Sequence, residues 1–168
     1  FFGPVAGTRV AGTADAVING DRSYGHLGTA LATPHGFFGD PGPVLAIAGQ
    51  NMPDVFLHRG HPGFTDRPLR DAELVISGTL LEQFGRGLAA PGDVNADGFA
   101  DMAFSESRAN ANAGRIVVVL GGAEPVSFTS PDVGARGFVL NGRAGSRLGP
   151  VAGAGDVNGD GIDDLVVG

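Results

Sequence analysis

Apolar residues along this chain come in short runs that never widen into a helical stripe. VLAIAG (44–49), DMAFSE (101–106), RIVVVL (115–120) and DLVVG (164–168) each stand between stretches rich in Gly, Pro, Asn or Asp. Runs of this length bounded by turn formers predict strands. Apolar positions spaced at i, i+3, i+4 and i+7 over several turns, the mark of an amphipathic helix, are absent. The pattern predicts an all-β chain of many short strands joined by tight turns.

The runs also repeat, and a fixed repeat period decides architecture before any local reading does. An aliphatic-polar-Gly turn occurs as Ile18-Asn19-Gly20, Ile76-Ser77-Gly78 and Leu140-Asn141-Gly142. A hydrophobe-Gly pair then opens a strand of small residues: LGTALATP from Leu27, FGRGLAAP from Phe84 and LGPVAGA from Leu148. A loop and an apolar strand follow each time. A further strand, GRIVVVLGG (114–122), matches PDVFLHRG (53–60) in the preceding unit. Each unit of roughly 60 residues thus holds four short strands, A (85–90), B (101–105), C (115–120) and D (136–141) in the second unit. Four-stranded units at this period are blades of a β-propeller. A Gly-rich β-sandwich with accidental similarity is the competing architecture.

Between strands A and B the second and third units carry acidic loops, DVNADGFAD and DVNGDGIDD. Asp93, Asn95, Asp97 and Asp101 occupy loop positions 1, 3, 5 and 9, as do Asp156, Asn158, Asp160 and Asp164. Alternate positions on a curling backbone direct side chains toward one point. Gly98 and Gly161 fall where the turn is sharpest. The backbone carbonyls of Phe99 and Ile162 are available at position 7. The set is all oxygen and rich in carboxylates, the preference of a hard cation such as Ca²⁺. Two Ca²⁺ sites are therefore expected, with Asp163 pointing away as a bystander. An EF-hand or dockerin-like loop begins alike but needs an acid at position 12 and a helix after it. Phe104 and Val167 stand at position 12, and β-rich sequence follows. A metal-free loop held by Asx turns is the other reading. The first unit departs. Its loop, GFFGDPGPV, keeps only Asp40, matching Asp97, while Gly36, Phe38 and Val44 replace the other ligands. No metal is expected there, and Phe37 and Phe38 are expected to close the loop by apolar contact.

Charge sharpens this picture. The chain carries a net charge of −7, and Asp93, Asp97, Asp101, Asp156, Asp160, Asp163 and Asp164 supply seven of its 18 acids within two short loops. Such crowding is unfavourable unless a cation neutralises it. Lysine is absent and the 11 arginines form no cluster, which argues against nucleic acid as a partner. No apolar run approaches the roughly 18 residues of a membrane span, and 168 residues suffice for one domain with a sizeable core. The absence of cysteine excludes disulfides and thiolate chemistry. No charged segment precedes Phe1, so no signal peptide is visible.

With these residues in hand, the chain resembles the FG-GAP repeat proteins, the β-propellers of the integrin α-subunit type and their bacterial relatives. The resemblance covers residues 14–168, most strongly from 74 on, through FGRGLAAPGDVNADGFADMAFSE, GRIVVVLGG and GFVLNGRAGSRLGPVAGAGDVNGDGIDDLVVG. Phe84-Gly85 is the family's Phe-Gly; the other units have Leu27-Gly28 and Leu148-Gly149, and SES (105–107) stands where the family's Gly-Ala-Pro belongs. The resemblance implies an FG-GAP repeat region over 1–168 with repeats at 14–71 (degenerate), 72–135 and 136–168, forming a propeller-like array of four-stranded antiparallel blades and an incomplete ring. It implies Ca²⁺ that stiffens the A–B loops without doing chemistry. Three organisations are open: a piece of a larger propeller, a compact three-blade array, or copies that complete one another's blades.

Catalytic motifs are lacking: there is no Gly-x-Ser-x-Gly and no His-Glu-x-x-His. His58 and His61 are expected in a loop after strand C, and His26 and His35 at turns. Glu73, Glu82, Glu106 and Glu124 read as isolated acids. The absence of Trp, and the single Tyr24, argue against a sugar platform. The expected function is a non-catalytic, Ca²⁺-stabilised extracellular or cell-surface module for adhesion, protein interaction or structural assembly, with a protein partner or self-association. A small-molecule substrate is not expected. The alternative is the propeller portion of a secreted hydrolase or carbohydrate-binding protein.

Overall fold

The computed structural model describes residues 14–20, 25–122 and 127–168. Thirteen short strands run through it: β1 (Ile18–Asn19), β2 (Leu27–Ala32), β3 (Val44–Gly49), β4 (Asp54–Arg59), β5 (Arg67–Pro68), β6 (Leu74–Ser77), β7 (Phe84–Gly92), β8 (Asp101–Glu106), β9 (Arg115–Val119), β10 (Phe128–Thr129), β11 (Gly137–Asn141), β12 (Val151–Gly155) and β13 (Asp164–Val167). The all-β expectation holds, and strands A to D of the second unit appear as β7, β8, β9 and β11.

Two meanders dominate. β2, β3, β4 and β6 pair antiparallel in that order, and β7, β8, β9 and β11 repeat the arrangement. β12 and β13 form a third antiparallel pair, the A and B strands of the third unit. All these sheets are open, so the described residues contain several antiparallel sheets and no closed ring.

A smaller feature recurs between units. The segment joining strands C and D reaches back and pairs in parallel with the D strand of the unit before. β5 does this to β1 through Ile18↔Arg67, and β10 does it to β6 through Ile76↔Phe128.

The recurring turn glycines have a packing cause. A Cβ on Gly78 would overlap the ring of Phe84, the hydrophobe that opens the next A strand. At Gly142 a Cβ would overlap the Ala113 carbonyl first and then Leu148, whereas at Gly20 it would only touch Leu27, at 3.4 Å. In the second and third units the turn glycine thus leaves room for the hydrophobe that opens the next A strand.

The second sheet is buried on both faces, which explains why RIVVV reads as a continuous apolar run and not as an alternation. Met102, Phe104, Val117 and Val119 face the first sheet, where they meet Val44, Ala46, Ala48, Val55, Leu57 and Ile76. Phe84 and Phe104 stack edge to face there, with centroids 4.9 Å apart. Ala103, Ile116 and Val118 face the other way, toward Val151 and Leu165 of the third unit. On its far side the first sheet packs Met52 and Phe56 against Leu69, with Ile18 and Leu27 at the edge.

Candidate metal centre

The two acidic loops follow from the same strand ends. Loop 93–100 links β7 to β8, and loop 156–163 links β12 to β13. Their internal bonding matches closely. The Asp93 carboxylate accepts from Asp97 N at 3.1 Å and Gly98 N at 2.7 Å. Asp156 accepts from Asp160 N at 3.1 Å and Gly161 N at 2.8 Å. Phe99 N and Ile162 N each donate to the position-5 carboxylate, of Asp97 and Asp160 respectively, at 2.9 Å. The Asn95 and Asn158 amides donate to those same carboxylates at 2.8 and 3.0 Å. Val94 N reaches Asp101 and Val157 N reaches Asp164, at 2.8 and 2.9 Å. Gly98 and Gly161 take φ of 90° and 87°, as the turn requires.

Positions 1, 3 and 5 are thus brought into one hydrogen-bonded group in each loop. Position 9 joins it through the backbone. The expected gathering of side chains about one point is not reached: among the described residues no group of three or more Asp, Glu or His side chains stands ready to hold a metal ion. Asn95 turns its amide nitrogen toward Asp97, and its oxygen accepts from Asp97 N at 3.3 Å. In kind and in spacing the donors fit a hard cation, since each loop offers three carboxylates and an amide oxygen with no nitrogen or sulfur ligand among them.

Asp101 differs from its counterpart Asp164. It is fully buried, and its second oxygen accepts from Gly121 N at 2.8 Å. Burial raises its pKa to about 6, the two backbone donors oppose the shift, and Asp97 and Asp93 add to it. Asp156 lies below the usual carboxylate range, chiefly because Gly161 N–H bonds its charged form.

Asp163 is not a bystander. Its carboxylate accepts from Asp93 N at 2.9 Å, and its own N–H donates to Asp93 O at 3.1 Å. This reciprocal clamp ties the third loop to the start of the second. It lies on Gly92, at φ 100°, where a Cβ would overlap the Asp163 carboxylate. The equivalent of Asp163 in the second loop is Ala100, and the equivalent of Gly92 in the first unit is His35, so that junction has no such clamp. The doubled Asp163-Asp164 was the sequence signal for it.

The first loop resolves its surviving acid differently. Asp40 accepts from Gly42 N at 2.9 Å and forms an ion pair with Arg59. Arg59 stands opposite Val44 in the β3–β4 register and lies over the Phe38 ring at 4.8 Å. Where the position-9 acid has become valine, a guanidinium has arrived beside the remaining carboxylate. Phe37 and Phe38 are both buried, edge to face at 5.2 Å, and close the loop by apolar contact as expected.

Three other expectations need correction. His58 lies within β4, not in a loop, and is fully buried; among the described residues neither ring nitrogen has a hydrogen-bond partner of good geometry. Desolvation lowers its pKa. Glu82 and Glu106 are not isolated, because both bond Arg115, and Glu106 also accepts from Ser130 Oγ at 2.6 Å. Glu73 accepts from Arg59 N at 2.8 Å and lies 3.6 Å from Arg67. Tyr24 and Glu124 lie outside the described residues. Neither protein-family models nor curated proteins match this chain, so the family resemblance rests on the quoted residues alone.

Proposed function

We propose that this chain is a non-catalytic, Ca²⁺-stabilised module of the FG-GAP propeller type, serving adhesion, protein interaction or structural assembly outside the cell. The observation that carries the reading is the closely matched bonding of two loops whose first acids, Asp93 and Asp156, stand 63 positions apart. Asp93, Asn95, Asp97, Asp101 and the Phe99 carbonyl would hold one ion. Asp156, Asn158, Asp160, Asp164 and the Ile162 carbonyl would hold the other. Bound there, Ca²⁺ would supply charge neutralisation and a fixed loop geometry. The guanidinium beside Asp40 supports this, since the loop with the thinned ligand set has an internal cation instead. Loops of this charge fill where free Ca²⁺ is abundant, which favours an extracellular setting.

The alternative, a propeller portion of a hydrolase or sugar-binding protein, would draw on Glu82 and Glu106. Both are held by Arg115, and Glu106 is fully buried, which favours a structural role for them. Calorimetric titration of the chain with Ca²⁺ tests the metal reading. Two binding events are expected, with Asp97→Ala and Asp160→Ala each removing one. Saturating Ca²⁺ at about 100 times Kd should add about 2.7 kcal/mol per site to unfolding. Each variant should lower Tm chiefly when Ca²⁺ is present. Equal losses in chelator would show that the carboxylates act through the metal-free fold.

A further inference from the structure

The outer face of the third unit repeats the face by which the second unit receives the third. Ala89, Ala103 and Val94 of the second unit pack with Val151 and Leu165 of the third. Strand pairing makes Ala152 and Val166 the counterparts of Ala89 and Ala103, because Ala89↔Ala103 and Ala152↔Val166 are matched cross-strand pairs. Val157 is the loop counterpart of Val94. Ala103 is 0% exposed, whereas Val166 is 55% and Val157 72% exposed. The seat of the clamp is repeated as well. Gly155, with φ 65°, precedes Asp156 as Gly92 precedes Asp93, and among the described residues nothing beyond its neighbours stands within 4 Å of its Cβ position.

We propose that this face is the receiving surface for a further repeat unit in tandem with the third, whose A–B loop carries a carboxylate at position 8. That carboxylate seats on Gly155 and accepts from Asp156 N, as Asp163 seats on Gly92 and accepts from Asp93 N. Small apolar residues of the incoming A and B strands cover Ala152, Val157 and Val166. The pairing of a glycine before position 1 with an acid at position 8 is then a code for which units adjoin. It is independent of whether a cation fills the loops. A second copy of this chain does not fit the seat. Its position-8 residues are Pro43, Ala100 and Asp163, and Asp163 is already engaged by its own Asp93.

The test extends the full chain after Gly168 with a second copy of residues 106–168, which supplies C and D strands and a further loop of the required kind. The readout is amide exchange at Asp156. Exchange is expected to slow at least ~10-fold in the extended chain and to return to the original rate with Asp163→Ala in the added copy or with Gly155→Ala. An Asp156 amide that exchanges as in the 168-residue chain, or that ignores Asp163→Ala in the added copy, overturns the proposal. Within the unextended chain, Asp163→Ala should speed exchange at Asp93 by a similar factor, and no change there overturns the code itself. Self-association of the 168-residue chain that Val166→Asp abolishes would assign the face to a second copy and also overturn it.

Discussion

Position 4 of the acidic loops shows how closely single residues are constrained. It is Ala96 in one loop and Gly159 in the other, at φ 60° and 80°. An L-residue there carries strain of about 1–2 kcal/mol that glycine escapes, offset in part by glycine's larger chain entropy. Ala96→Gly is therefore expected to raise stability by about 0.5–1 kcal/mol, measured by urea unfolding. Asp101 makes the opposite kind of demand. Its folded pKa of about 6 stands above the unfolded 3.8, so the fold holds a proton that the unfolded chain has lost between those values. Stability from this group is present below about pH 4 and is lost as pH rises toward 6, by at most about 3 kcal/mol. Urea unfolding in chelator should show that decline, and Ca²⁺, which favours the ionised carboxylate, should flatten it.

At the level of elements, β4 carries a buried imidazole on the face that Phe56 packs against Met52 and Leu69. Glu73 and Asp71 favour its protonation, Arg67 opposes it, and desolvation outweighs them all. With its folded pKa below 6.5, His58 is neutral in the fold and takes up a proton on unfolding, so stability is lost as pH falls below about 6.5. His58→Leu should remove that acid-side loss, and at neutral pH it should cost little because it deletes two unsatisfied polar atoms along with the ring. Thermal unfolding from pH 7 down to 5 reads both effects. The meander strands were legible in the sequence, because apolar runs, turn glycines and the hydrophobe-Gly pairs mark them, but the two-residue strands β5 and β10 carry no such pattern and were not read. The burial of His58 was not, since HRGH reads like a surface loop, and it is the pairing of Leu45 with His58 and of Val44 with Arg59 that carries strand β4 that far.

For the whole molecule, the shared apolar layer makes the first two sheets one cooperative body. Phe104 lies at its centre, fully buried against Phe84. Phe104→Ala should cost about 3–5 kcal/mol and speed amide exchange in both sheets together; exchange rising only in β7–β11 would show that they unfold separately. The repeat and the position of the acidic loops were readable from spacing. Side-chain partnerships between distant positions were not: Asp163 and Asp93 lie 70 residues apart in different units, and Arg59 with Asp40 depends on a strand register that no local pattern encodes.

The parallel pairs β1–β5 and β6–β10 carry a mechanical consequence. The first and second units each hold the D strand that precedes them by main-chain bonds formed from their own C–D connection. Each pair is only two residues long, so it offers fewer main-chain bonds against a pull along the chain than the broad sheets do. Under tension they would act as sacrificial fasteners, giving way while the meanders stay intact and reforming when the load is released.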